Sequence, residues 1–158
     1  MDLIHFPVVQ SSGEKMVMMT AGHLVAMFER ARGEFGSGGA VVFHDLGRAY
    51  GESVYEERRS MLGKGFSESN LKEALGTYQA MGWFRFEEVR SGGDTFTLRV
   101  SGNFECEGKR SPEPASHFVR GHLSGAMTAL LGRPMKCEEA KCLARGDRYC
   151  EFVLTPAG

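Results

Sequence analysis

No run of about eighteen apolar residues occurs in this chain, so no membrane-spanning helix is expected. The first residues lack a basic start followed by an apolar stretch, which argues against export. An excess of one charge is missing too. Nineteen lysines and arginines face twenty aspartates and glutamates, for a formal net charge of -1. The basic residues are scattered, and Glu56-Glu57-Arg58-Arg59 mixes both signs as a solvated helix face does. A nucleic-acid footprint, which shows itself as a basic stripe, is therefore not expected. Common catalytic signatures are absent as well: no serine sits in Gly-x-Ser-x-Gly, and no Gly-x-Gly-x-x-Gly follows a strand and opens a helix. Ser37-Gly-Gly39 and Ser91-Gly-Gly93 suit turns better than phosphate cradles. Glu87 and Glu88 would point to opposite faces of a strand and could not share a substrate. The expectation is a protein that is not an enzyme.

Cysteine is scarce but concentrated. Of four, three lie at Cys137, Cys142 and Cys150, with Glu139 among them and Gly146-Asp147 between the last two. That turn would let the chain reverse and bring Cys142 and Cys150 together, while thiolates and a carboxylate suit a borderline cation such as zinc. With no export signal, reduced thiols in the cytoplasm are expected, and clustered thiols there lean toward metal rather than disulfides. Cys137, five residues before Cys142, is expected in the core.

At 158 residues the chain is most simply one domain, 1–158, long enough to bury a core. Thr20 is placed to cap a helix carrying Leu24, Val25, Phe28 and Ala31, which the glycine-rich run 33–39 would stop. Ala40-Val-Val-Phe43 reads as a short strand. A second helix is predicted from about Leu46 to Leu62, and a third over 70–81, capped by Ser67 or Ser69. The period then changes to two over 83–89 and 95–100, two antiparallel strands joined by 91–94. A helix over about 116–131 shows Gly121, Gly125 and Ala126 on one slim face, which would let another backbone approach closely. Two strands, about 134–142 and 148–154, complete an α+β fold in which an antiparallel sheet packs against helices. The slim face and the apolar early helix suggest a homodimer. The soft and aromatic side chains of the central region, including Met16, Met27, Met61 and Tyr78, suit either an ordinary core or an adaptable apolar pocket.

Four segments carry a family resemblance: Phe43-His-Asp-Leu-Gly-Arg-Ala-Tyr-Gly51, Met81-Gly-Trp-Phe-Arg-Phe86, Gly121-His-Leu-Ser-Gly125, and Glu139-Ala-Lys-Cys142 with Cys150-Glu-Phe152. Together they resemble the 4-vinyl-reductase domain family of hydrocarbon-binding proteins. The likeness extends to the sensory modules of aromatic-responsive activators and to subunits of the TRAPP tethering complex. It covers about residues 40–154. The resemblance implies a structural zinc held by Glu139, Cys142 and Cys150. The family's upstream cysteine corresponds to Ser116, so His117, by position, or Cys106, by chemistry, would complete the shell. It also implies an apolar or aromatic ligand touching some of Phe43, Phe66, Tyr78, Met81, Trp83 and Phe86. A tryptophan of the aromatic sensors corresponds here to Val100, so a phenol-type ligand does not carry over. The chain shows no helix-turn-helix or nucleotide-hydrolysis motif, and a sensor of this kind would signal through a separate output protein. A scaffold without ligand, or an enzyme or accessory protein acting on a tetrapyrrole vinyl group, are the alternatives. The last of these lacks any nicotinamide or flavin signature.

Overall fold

The computed structural model describes residues 19–59, 71, 76 and 78–158. Helix α1 (Ala21–Phe35) begins where expected, with the Thr20 hydroxyl accepting the His23 N–H at 3.3 Å. It ends at Gly36, whose φ of 57° admits glycine without strain and whose N–H donates to the Arg32 carbonyl. The chain re-enters a helix at once, because α2 spans Ser37–Arg59.

The strand expected over 40–43 is therefore overturned, and the second helix starts nine residues earlier than its predicted Leu46. Two adjacent valines have only a weak preference against helix, a few tenths of a kcal/mol each, which packing readily overrides. The longer pattern explains the outcome. Gly39, Phe43, Gly47, Gly51 and Tyr55 recur every fourth residue and are all buried, while Val41 and Val42 face outward. The predicted helix over 70–81 falls partly outside the described residues; 71, 76 and 78–80 are helical and Met81-Gly82 is a turn.

Helix α3 (His117–Leu131) lies between α2 and the sheet. Its slim face is occupied by α2 of the same chain. A Cβ built on Gly121 would stand 1.9 Å from the His44 carbonyl oxygen, and one on Gly125 would stand 2.0 Å from that of Arg48. The contact is reciprocal: at Gly47 and Gly51 a Cβ would meet the carbonyl oxygens of Phe118 and His122 at 2.2 and 2.3 Å. Two helices each spaced Gly-x-x-x-Gly thus pack backbone to backbone. This removes the small-residue face as a reason to expect a dimer.

Four strands form one antiparallel sheet: β1 (Arg85–Gly92), β2 (Thr95–Ser101), β3 (Met135–Lys141) and β4 (Cys150–Pro156), in the order β1-β2-β4-β3. Alternation holds as predicted, with Phe96, Leu98 and Val100 of β2 opposite Leu154, Phe152 and Cys150 of β4, all buried. These side chains meet Val119, Leu123 and Met127 of α3 in one core. Cys137 is buried on β3, as expected. Among the described residues no helix is long and apolar enough to cross a membrane.

Candidate functional site

The sheet and α3 converge at one end on a cluster of thiols. Glu139 sits on the inner face of β3, and a register shift between Glu139 and Lys141 precedes Cys142. The chain then makes a single 3-10 turn (Leu143–Arg145) and reverses through Gly146, φ 98°. Asp147 locks this reversal: its carboxylate accepts the Cys142 N–H at 2.8 Å, and its own N–H donates to the Cys142 carbonyl at 3.2 Å. Cys150 opens β4. The fourth member comes from the turn after β2, where Cys106 is buried.

Ligand atoms of Cys106, Glu139, Cys142 and Cys150 all lie within 4.8 Å of one another, and all four residues are buried. Cys106 Sγ stands 3.6 Å from Cys142 Sγ and 3.8 Å from Cys150 Sγ. A tetrahedral centre with zinc–sulfur bonds of about 2.3 Å has edges of about 3.8 Å, so these two sulfur–sulfur separations suit such an ion. Three thiolates and a carboxylate would carry four negative charges against the two of a divalent ion. Amide groups would stabilise part of the excess: N–H donors of Ala115 and Leu143 reach the sulfurs of Cys142 and Cys150 at 3.4 Å each, and the Asn103 amide reaches Cys150 at 3.6 Å. Within the cluster, S–H donation from Cys106 and then Cys150 pulls the Cys142 thiol well below its ordinary range. The same contact pushes Cys106 up to about 12. Burial raises the Glu139 carboxyl to about 7.

Cys106, not His117, completes the cluster. Ser116 is the non-helical residue just before α3, φ -89° and ψ 63°, and His117 is the first residue of the helix, so the two side chains leave the backbone in different directions. Ser116 faces the thiols. Its hydroxyl donates to Glu139 at 2.7 Å and lies 3.2 Å from Cys106 Sγ, and its N–H donates to the other Glu139 oxygen at 3.1 Å. His117 points away toward Arg120, its Nδ1 3.5 Å from that guanidinium, and burial beside this cation depresses its imidazole to about 4. Ser116 thus stands within the site as a brace for the carboxylate.

Two further residues here escaped the sequence reading. Asn103 donates to the Ser116 hydroxyl at 2.8 Å as well as to Cys150. Glu105, buried, accepts the Phe118 and Val119 N–H groups at 3.0 and 2.7 Å and so caps α3 from a distant turn. Burial raises its carboxyl to about 7 even against those two donors. The one local signal was their place in a polar run, Ser101-Gly-Asn103-Phe-Glu105, between an apolar strand and a cysteine.

Five of the six residues expected to touch a ligand are described, and they fall in different parts of the fold. Tyr78 and Trp83 lie together, ring centroids 4.8 Å apart. They pack around His122 of α3 together with Tyr50 and Tyr55 of α2, which stack on Trp83 and Tyr78 at 6.1 and 6.0 Å. The four ring centroids stand 4.5, 5.4, 5.4 and 6.1 Å from the imidazole for Tyr78, Trp83, Tyr50 and Tyr55. Phe43 instead packs on Phe28 of α1 at 4.3 Å. Met81 is 51% exposed. Phe86 lines a separate surface cleft of about 290 Å³ with Gly76, Gln79, Glu87 and Glu88, whose carboxylates suit an apolar ligand poorly. Phe66 lies outside the described residues, as do Met16, Met18 and Met61.

Comparison with known proteins agrees with this architecture. Residues 96–156 match the family model of the 4-vinyl-reductase domain. Two curated relatives come from Methanocaldococcus jannaschii. The uncharacterized protein MJ0745 is 30% identical over 114 residues, 72% of this chain and 55% of that protein. MJ0855 is 25% identical over 118 residues, 71% of this chain and 43% of that protein. The chain spans about half the length of these relatives. Among solved structures, the phenol-responsive sensory domain of the transcription activator PoxR with phenol superposes with a TM-score of 0.77. It is 17% identical and covers 90% of this chain and 77% of that one. A trafficking protein particle complex subunit 3 from Naegleria fowleri, covalently bound to palmitic acid, gives 0.64 at 15% identity over 87% and 95%. A vinyl-4-reductase family protein from Methanocaldococcus jannaschii gives 0.54 at 17% identity over 92% and 85%. Residues 96–156, which hold the thiol hairpin, thus match the 4-vinyl-reductase domain, and the fold is shared with a protein of that family and with a phenol-responsive sensory domain.

Proposed function

We propose that residues 1–158 form a small-molecule-binding domain that acts as a sensor or carrier, braced by a structural zinc. The observation that carries the reading is the aromatic cluster at the junction of α2, α3 and the segment entering β1. Rings of Tyr50, Tyr55, Tyr78 and Trp83 converge there on one point of α3. Aromatic faces present a large apolar surface that an apolar or aromatic guest can join by stacking. Its fold, shared with a sensory domain, supports the same reading.

Zinc would be held by Cys106, Glu139, Cys142 and Cys150 and would supply a cross-link rather than chemistry. Four protein ligands close the shell, and a catalytic ion needs an open position. The ion would tie the terminal hairpin to the turn after β2, and Ser116 carries that tie to the first turn of α3.

A homodimeric scaffold is the second reading, favoured by apolar side chains left outside the core. Phe35 is 71% exposed at the end of α1, with Val41, Val42 and Leu46 also exposed on α2. Native mass spectrometry of freshly purified protein separates the two. A retained small molecule, with one zinc per chain, supports the binder. A dimer with no guest, and no change in Trp83 fluorescence across apolar probes, supports the scaffold instead.

A further inference from the structure

His122 is fully buried at the centre of the aromatic cluster, and neither ring nitrogen has a hydrogen-bond partner among the described residues. Both atoms are strong hydrogen-bonding groups, and leaving them unpaired in a core opposes folding. Leucine or phenylalanine at this position would fill the same kind of space without that cost. Burial holds the imidazole neutral, its protonation suppressed to about 3. A neutral imidazole offers one donor and one acceptor, and the four rings around it carry no charge. Among the described residues, Tyr50 flanks it from the surface: its side chain is 42% exposed and stacks against the half-buried Trp83 and Phe118, at 6.1 and 6.3 Å. A planar guest entering beside Tyr50 would meet His122 behind the first layer of rings.

We propose that His122 is the polar anchor of the internal ligand site, and that the ligand is an uncharged, flat, largely apolar molecule offering the imidazole one hydrogen bond. This rests on the ligand-binding reading above and deepens it. A bare hydrocarbon would leave both nitrogens unsatisfied. A carboxylate or ammonium would enter a region of neutral rings with no counter-charge, which is costlier still. Selection here is a matter of pairing: a guest that meets the imidazole gains a hydrogen bond and relieves a buried unpaired group, and its isostere does neither.

The test uses indole and indene, bicycles of matched shape that differ by an N–H in place of a CH2, titrated calorimetrically into the intact protein and its His122→Leu variant. Indole should bind the natural protein about tenfold more tightly than indene. In His122→Leu the preference should vanish, with indene affinity kept or improved. The variant should melt no lower than the natural protein, because an unpaired polar group has left the core. An unchanged indole-to-indene ratio in His122→Leu overturns the assignment, as does a large fall in melting temperature, which would make the imidazole a packing element. Equal binding of both probes to the natural protein defeats the anchor and leaves the binding site standing. No binding of either, with no retained molecule in native mass spectrometry, defeats the site and the anchor together.

Discussion

Replacing Gly121 with alanine adds one methyl group where the structure has room for none. The new Cβ would lie 1.9 Å from the His44 carbonyl oxygen, 2.8 Å from the carbonyl carbon and 3.0 Å from the Cα. All three are backbone atoms of α2, so no side-chain rotation relieves the contact. Restoring an ordinary separation of about 3.4 Å requires α2 to withdraw by roughly 1.5 Å, and dispersion contacts along the shared face weaken with it. Overpacking of this kind costs about 1–3 kcal/mol or more, against a gain of up to about 1 kcal/mol from alanine's better helix propensity. The net loss should be about 2 kcal/mol, or a fall of roughly 4–8 °C in melting temperature for a chain of this size. Gly33 on α1 is the control: nothing lies within 4 Å of its added Cβ, so Gly33→Ala should gain about 0.5–1 kcal/mol. Gly125→Ala should behave like Gly121→Ala, and the double variant should lose less than the sum, because one withdrawal of α2 relieves both contacts. Urea titrations followed by circular dichroism measure all four. If Gly121→Ala proves as stable as Gly33→Ala, the two helices do not pack backbone to backbone, and the account of α2 fails.

Metal content by elemental analysis should fall in Cys106→Ser and Cys142→Ser and stay intact in His117→Ala and Cys137→Ser; retention in Cys106→Ser would assign the fourth ligand wrongly. A strong chelator should lower the melting temperature of the natural protein but not of Cys142→Ser, since the ion stabilises only the folded geometry. Glu105→Ala should cost about 2 kcal/mol or more by leaving the Phe118 and Val119 N–H groups unpaired in the core, read as a lower urea midpoint. His122 is depressed from 6.5 to about 3 by burial, so its neutral form favours the fold. Stability is therefore unaffected by this group above pH 6.5 and falls as the unfolded chain takes up the proton between pH 6.5 and 3, by on the order of 5 kcal/mol at the limit. His122→Leu should flatten that part of the stability profile, and a histidine titrating near 6.5 in the natural protein by NMR at this position would contradict it.

Local chemistry was enough for much of this molecule. Thr20 and Gly36 bound α1 because a hydroxyl cap and a left-handed glycine act within one turn of chain. Alternation over 95–100 and 150–154 marks two half-buried strands, and Gly146-Asp147 marks the reversal that brings Cys142 to Cys150. Four residues at 40–43 could not reveal their period, however; only the four-residue spacing sustained from Gly39 to Tyr55 identifies a helix, and its meaning comes from the partner it packs against.

What tertiary structure alone decided is which distant groups meet. Cys106 stands 36 residues from Cys142 and joins it because the turn after β2 closes over the mouth of α3. The choice between Cys106 and His117 depended on how the chain enters α3: Ser116, just before the helix, lies against Glu139, while His117, its first residue, turns toward Arg120. The glycines of α3 looked like a surface awaiting a second chain until α2 of the same chain filled it. His122 was one histidine on a glycine-rich helix in the sequence. Its unpaired nitrogens exist only because rings from α2 and from the segment before β1 enclose it, and enclosure is a property of the fold rather than of any stretch of residues.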